Sequence, residues 1–190
     1  MQTILGFIAA KAKREKKLKF TSLVHLINAE NLKACYKELK RNKAAGIDDM
    51  TVEEYGVNLE GRLNSLTERM KSKRYKPQAV RRVTIPKPGK MGEMRELGIP
   101  TVEDKLVQIM LKKILENIYE ADFLNCSFGF RPKLSCHDAI KALNETVMTK
   151  PINYVVEVDI RKFFDRVSHE WIMCHRKTIP VIPSIRFIIG

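Results

Sequence analysis

Apolar residues recur at helical spacing between Thr101 and Tyr119. Leu106, Val107, Met110, Leu111, Ile114, Leu115 and Ile118 form one broad stripe, and Thr101 and Asp104 mark its start. That spacing predicts a helix whose role is core packing. Leu23, Leu26, Ile27, Leu32, Tyr36 and Leu39 predict another helix over 21–42, with an interruption at Asn28–Asn31. Thr51 followed by Glu54 is a capping box. It opens a helix to about Lys73 through Leu59, Leu63, Leu66 and Met70, against the weakening effect of Gly56 and Gly61. Ser135 caps a helix to about Met148, with Ala139, Ile140, Leu143 and Val147 turned inward.

Elsewhere the pattern is that of strands. Val80, Val83 and Ile85 alternate with basic residues, and Pro86, Pro88, Gly89 and Gly92 make a turn. Met94 to Ile99 makes the return strand of a hairpin. Val155, Val156, Val158 and Ile160 predict a short, largely buried strand, with Glu157 and Asp159 together on one side. A helix follows from about Arg161 to Met173. The fold class is therefore α+β. An acid at a strand end suits a hard cation such as Mg²⁺. An Asp at the same place equally caps the next helix, and the pattern leaves both roles open for Asp159.

The charge changes the picture. With 35 Lys and Arg against 22 Asp and Glu, the formal net charge is +13. Such an excess points to a polyanionic partner. A membrane surface is the rival, but the chain has no long apolar stretch. At the start, apolar residues precede the lysines, the reverse of a signal peptide, so a cytoplasmic location is expected. The four cysteines form no Cys-x-x-Cys pair and read as reduced thiols rather than zinc ligands. Lys11 to Lys19 holds six basic residues and one acid, consistent with either a solvated face or a phosphate-contacting arm. From Arg69 to Lys90 nine basic residues run without an acid. Arg74, Lys76, Arg81 and Arg82 lie in that run and suit sequence-independent binding to nucleic-acid phosphates. Lys87 and Arg95, on facing strands of the hairpin, can offer a point charge and a planar fork to one triphosphate.

Four blocks, in order, resemble reverse transcriptases encoded by group II introns. They are Ala45-Gly-Ile-Asp-Asp-Met-Thr51, Ile85-Pro-Lys-Pro with Arg95-Glu-Leu-Gly-Ile-Pro100, Ser127-Phe-Gly-Phe-Arg-Pro132, and Val156-Glu-Val-Asp-Ile-Arg-Lys-Phe-Phe-Asp165. The resemblance covers about Lys43 to Trp171. Asp49 stands where the family has Gly, and Glu96, beside Arg95, where it has Pro. The tail from Cys174, with Pro180 and Pro183 close together, does not follow the pattern.

The resemblance implies a fold and a set of roles. Residues 1–42 would be a basic helical extension, 43–150 a helix-rich fingers region with its hairpin, and 151–190 the start of a palm. Asp159, with the backbone carbonyl of Ile160, would bind the catalytic ions, two Mg²⁺ in the complete enzyme. Lys87 and Arg95 would hold the incoming triphosphate, and Phe164 would lie under its sugar. Arg131 would contact template or pin its own loop. Partners would be an RNA template, intron RNA, a DNA primer and deoxynucleoside triphosphates, with no membrane and with homodimerisation left open. The second Asp pair of such enzymes belongs further along the palm, so this chain is expected to be inactive alone. The rival readings are a non-catalytic RNA-binding module, or a reverse transcriptase of the retron, CRISPR or diversity-generating kind.

Overall fold

A computed structural model of the chain describes residues 2–15, 18, 20, 23–89, 92–161, 163–168 and 170. Its centre is one helix, α5 (Val102–Tyr119). Leu106, Met110 and Ile114 are completely buried along it, with Val107, Leu111 and Ile118 beside them. Thr101 caps it by accepting from the Asp104 N–H, as its sequence suggested. Against α5 pack α1 (Gln2–Arg14) and α2 (Ala29–Glu38), and α4 (Leu59–Lys71) packs on α2. A Lys113–Glu38 ion pair ties α5 to α2.

The helix expected over 21–42 begins later, after a short 3₁₀ turn (Val24–Leu26). Asn28 is its N-cap, accepting from Asn31 N at 2.9 Å, and the buried Asn31 amide donates back to Leu26 O at 2.7 Å. The interruption is thus a helix start, built from two side chains that satisfy end groups of the backbone. In α1 the buried stripe is Leu5, Ile8 and Ala12, upstream of most of the lysines. Lys13 and Arg14 lie on its exposed side.

The expected single helix from Thr51 is two, α3 (Val52–Val57) and α4, broken at Asn58. The capping box at Thr51 and Glu54 is present. Tyr55 on α3 stacks on Tyr36 with ring centroids 6.3 Å apart, and the Tyr36 hydroxyl donates to Val52 O. Gly56 is required at this join, because a Cβ there would meet the Tyr36 hydroxyl at 2.3 Å.

The hairpin forms as β1 (Arg81–Pro86) and β2 (Met94–Ile99), antiparallel, with Ile85 opposite Arg95 and Val83 opposite Leu97. It stands away from the helical core, with Arg81, Ile85 and Ile99 half-buried and the other strand residues exposed. The cationic face expected to be wet is therefore one of two wet faces.

The C-terminal third departs from expectation. The helix α6 (Cys136–Thr149) forms with its Ser135–Asp138 capping box, yet buries none of its residues, and Ile140, Leu143 and Val147 are exposed. The predicted strand through Val155 to Ile160 is not a strand, and every residue from 151 to 161 is exposed. Among the described residues the sheet has two strands only, so this segment has no neighbour to take its backbone N–H and C=O groups. Its following helix, α7, is short (Phe163–Arg166). His169 and the tail from Trp171 lie outside the described residues.

Two predictions follow from the packing and the caps. Leu106→Ala, at a site with no solvent contact, should cost about 2–5 kcal/mol in a urea titration with little change in slope. The Glu54 and Asp138 carboxyls are both held below their usual range, the first by the Thr51 backbone and side-chain donors, the second by the Ser135 side chain and backbone. Depressed acids stabilise above their unfolded pKa values, about 4.3 and 3.9, and lose that contribution as pH falls through the folded ones. Circular dichroism should therefore show helicity falling on acidification below about pH 4, and the loss below that pH should be smaller in Asp138→Ala.

Candidate nucleotide and nucleic-acid site

Side chains of residues opposite one another in an antiparallel ladder share a face. Arg95 shares a face with Ile85, and Lys87, two positions on, continues it. The structure thus brings Lys87 and Arg95 to one side of the hairpin, near its tip. The Lys87 N–H donates to Glu93 O, closing the turn, and its Nζ lies 2.8 Å from Glu93 Oε2. Both side chains of that pair are half exposed, so the contact is weak and exchangeable with a stronger anion. Glu96, the neighbour expected to compete for Arg95, points to the opposite face. It lies 3.9 Å from Arg82 instead.

The base of the hairpin is tied down more firmly. Arg81 Nη2 donates to Asp49 Oδ1 at 2.6 Å. Asp49 has φ +53°, a left-handed conformation in which Gly is unstrained and Asp is among the better-tolerated residues. Asp49 thus makes an ion pair at a small conformational cost. Gly46, in the same loop, lies against the start of α5, where a Cβ would stand 2.7 Å from Thr101 Cα. Lys105 Nζ reaches Ala44 O from α5. The loop 43–50 is therefore clamped between β1 and α5.

A second tie was not legible in the sequence. Asp104 is buried, and its carboxylate accepts from the Tyr75 hydroxyl, from Gln78 N at 3.2 Å and from Thr101 Oγ1 at 2.7 Å. Burial, then the hydrogen bond to Asp104, pushes the Tyr75 phenol well above its usual pKa, so it stays a donor. The helix-start spacing Thr101-x-x-Asp104 finds the cap, but nothing local announces that a tyrosine 29 positions earlier completes the site.

Of the acid-free basic run, several members find acids from elsewhere. Arg69 donates to both Glu103 oxygens at 2.7 Å. Arg81 and Arg82 meet Asp49 and Glu96 as above. The Arg74 guanidinium donates to the Ser72 hydroxyl at 3.0 Å, and Arg74 and Lys76 are both exposed. Arg131 spends its guanidinium inside its own loop, on Leu124 O, Ser127 O and Glu120 Oε1, over the Phe123 ring. Its side chain is 12% exposed, which favours the loop-pinning role over template contact.

Asp159 and Ile160 are exposed in the non-strand segment, so the Asp159 carboxylate is not enclosed. Among the described residues no three acidic, His or Cys side chains are grouped to hold a metal. The donors present fit one ligand of a Mg²⁺ site, not a cage. Phe164 has its backbone in α7, and its side chain lies outside the described residues. No helix among the described residues is long and apolar enough to cross a membrane.

Residues 85–189 match the model of the reverse transcriptase (RNA-dependent DNA polymerase) family. The chain belongs to that family. The match starts at Ile85 on β1 and includes the tail, so residues 174–189, expected to depart from the reverse transcriptase pattern, fall within it. Over 154 residues the chain is 38% identical to the group II intron-encoded protein LtrA of Lactococcus lactis subsp. cremoris, covering 79% of this chain and 25% of LtrA. It is 36% identical over 132 residues to the protein YkfC of Escherichia coli K12, covering 67% of this chain and 34% of YkfC. The likeness to LtrA points to the group II intron-encoded members of that family. The chain spans about a quarter to a third of the length of these relatives.

Gly46→Ala forces a methyl onto backbone that cannot swing aside. It should destabilise the protein by about 1–3 kcal/mol in a denaturant titration.

Proposed function

We propose that this chain forms the fingers and the opening of the palm of a group II intron reverse transcriptase, an RNA-directed DNA polymerase. The observation that carries the reading is the shared face of Lys87 and Arg95 on a solvent-exposed hairpin within a chain of this family. An ammonium and a guanidinium on one face match the geminal oxygens of a triphosphate. Reverse transcriptases in general use a divalent metal, and Mg²⁺ is the hard cation that suits carboxylate and phosphate oxygens. Asp159 and the Ile160 carbonyl would be its ligands here, and Phe164 would support the sugar. Bound there, the ion would supply charge stabilisation to the phosphoryl oxygens. Residues 1–42 are assigned to a basic extension, 43–150 to the fingers and 151–190 to the start of the palm.

Arg74 and Lys76 are the exposed members of the basic run and the best placed for RNA backbone. Arg82, with its distant Glu96, joins them readily. Arg81 and Arg131 would have to leave intramolecular partners to do so. Partners on this reading are template and intron RNA, a DNA primer and deoxynucleoside triphosphates.

A second reading is favoured by one observation, the exposed segment around Asp159. The chain by itself would then act as an RNA-binding module without chemistry. Filter binding to a structured intron RNA at rising salt tests the shared part. Affinity should fall steeply, and Arg74→Ala and Lys76→Ala should each reduce the log–log slope by about 0.7–1. Binding indifferent to salt would overturn both readings. Primer extension on an RNA template by this chain alone separates them, with no product expected.

A further inference from the structure

The hairpin carrying Lys87 and Arg95 has little packing to hold its direction. Only Arg81, Ile85 and Ile99 of its strands are even half-buried. Its tip is a long lever. Lys87 lies six positions beyond Arg81, about 20 Å at a strand rise of about 3.3 Å per residue. A tilt of about 10° at the base then moves the tip by about 3.5 Å, enough to break any hydrogen bond made there. Orientation must therefore be set where the two strands enter and leave.

Three ties lie at that base. The Arg81–Asp49 pair is largely exposed and screened by solvent. The Gly46 contact is steric and holds the 43–50 loop rather than the hairpin. The third tie is of another kind. Asp104 is the only acidic or basic residue fully buried among the described residues, at 4% exposure. Buried carboxylates persist only where donors replace water. Its donors come from both legs. Tyr75, itself buried, and Gln78 N belong to the segment leading into β1, and Thr101 Oγ1 lies two residues after β2 ends. One carboxylate at the first turn of α5 thus fastens the entry and the exit of the hairpin to the most buried helix in the protein.

We propose that Asp104 is a positioning residue, fixing the direction of the hairpin and through it the placement of Lys87 and Arg95 on a nucleoside triphosphate. The triphosphate half of this rests on the function proposed above. The hairpin half does not.

The test uses the full chain, spin-labelled at Thr84→Cys on the hairpin and Lys112→Cys on α5, with Cys126, Cys136 and Cys174 changed to Ser. The parent should give one narrow distance distribution. Asp104→Asn should broaden it, and Tyr75→Phe, which removes one donor and leaves the helix cap intact, should broaden it less. Hydrogen exchange of α5 amides should stay as in the parent. Leu106→Ala is the control for mere destabilisation, loosening α5 without preferentially broadening the hairpin distances. Binding of Mg²⁺–dATP should weaken about five- to tenfold in Asp104→Asn. Unchanged distributions in both variants, a parent already broad, or broadening only in step with α5 exchange would each overturn the proposal. Broadening in a chain whose parent does not bind Mg²⁺–dATP would support the anchor and overturn the triphosphate assignment.

Discussion

Burial of one helix face organises this protein. The apolar stripe of α5 is covered by α1 and α2, and the removal of each large side chain from water is worth about 1.5–3 kcal/mol. Leu106, Val107, Met110 and Ile114 therefore contribute more than any single polar contact on the surface. The ties at the base of the hairpin gather at the N-terminal end of that helix. Thr101 and Asp104 stand in its first turn, the 43–50 loop presses on Pro100 and Thr101, and β2 runs directly into it. Both legs of the hairpin are thereby tied to the deeply buried helix α5.

Charge is organised by the same logic. A protein with an excess of 13 positive charges has few acids to distribute, and it places several of them as restraints. Glu103 holds Arg69, Asp49 holds Arg81, Glu120 holds Arg131, and Asp104 is spent on neutral donors. The cations left for a polyanion are those no acid reaches, such as Arg74 and Lys76. A basic run in sequence thus overstates the basic surface, because the partners that neutralise it come from residues up to 34 positions away.

How much could be read beforehand divides along the same line between local and distant causes. The caps at Thr51, Thr101 and Ser135, the span of α5 and the hairpin are all determined by residues within a few positions of one another, and all are present. The placement of Glu96 away from Arg95 follows from the two-residue period of a strand. The buried stripe of α1, Leu5, Ile8 and Ala12, is likewise a local helical spacing. The burial of Asp104 depends on groups from another part of the chain, which no local pattern contains.

The segment through Asp159 shows most sharply what a pattern can and cannot specify. Four β-branched residues in six positions state a preference for extended backbone and for burial. Neither preference can be met by the segment itself. A strand's ladder bonds belong to its neighbours, and its buried face needs a second layer. The same holds for α6, whose helix forms from local caps while its apolar side stays exposed. Helices close their own hydrogen bonds and so appear without tertiary partners; strands do not. The contrast between a formed but uncovered α6 and an unformed strand at 155–160 follows from that difference alone.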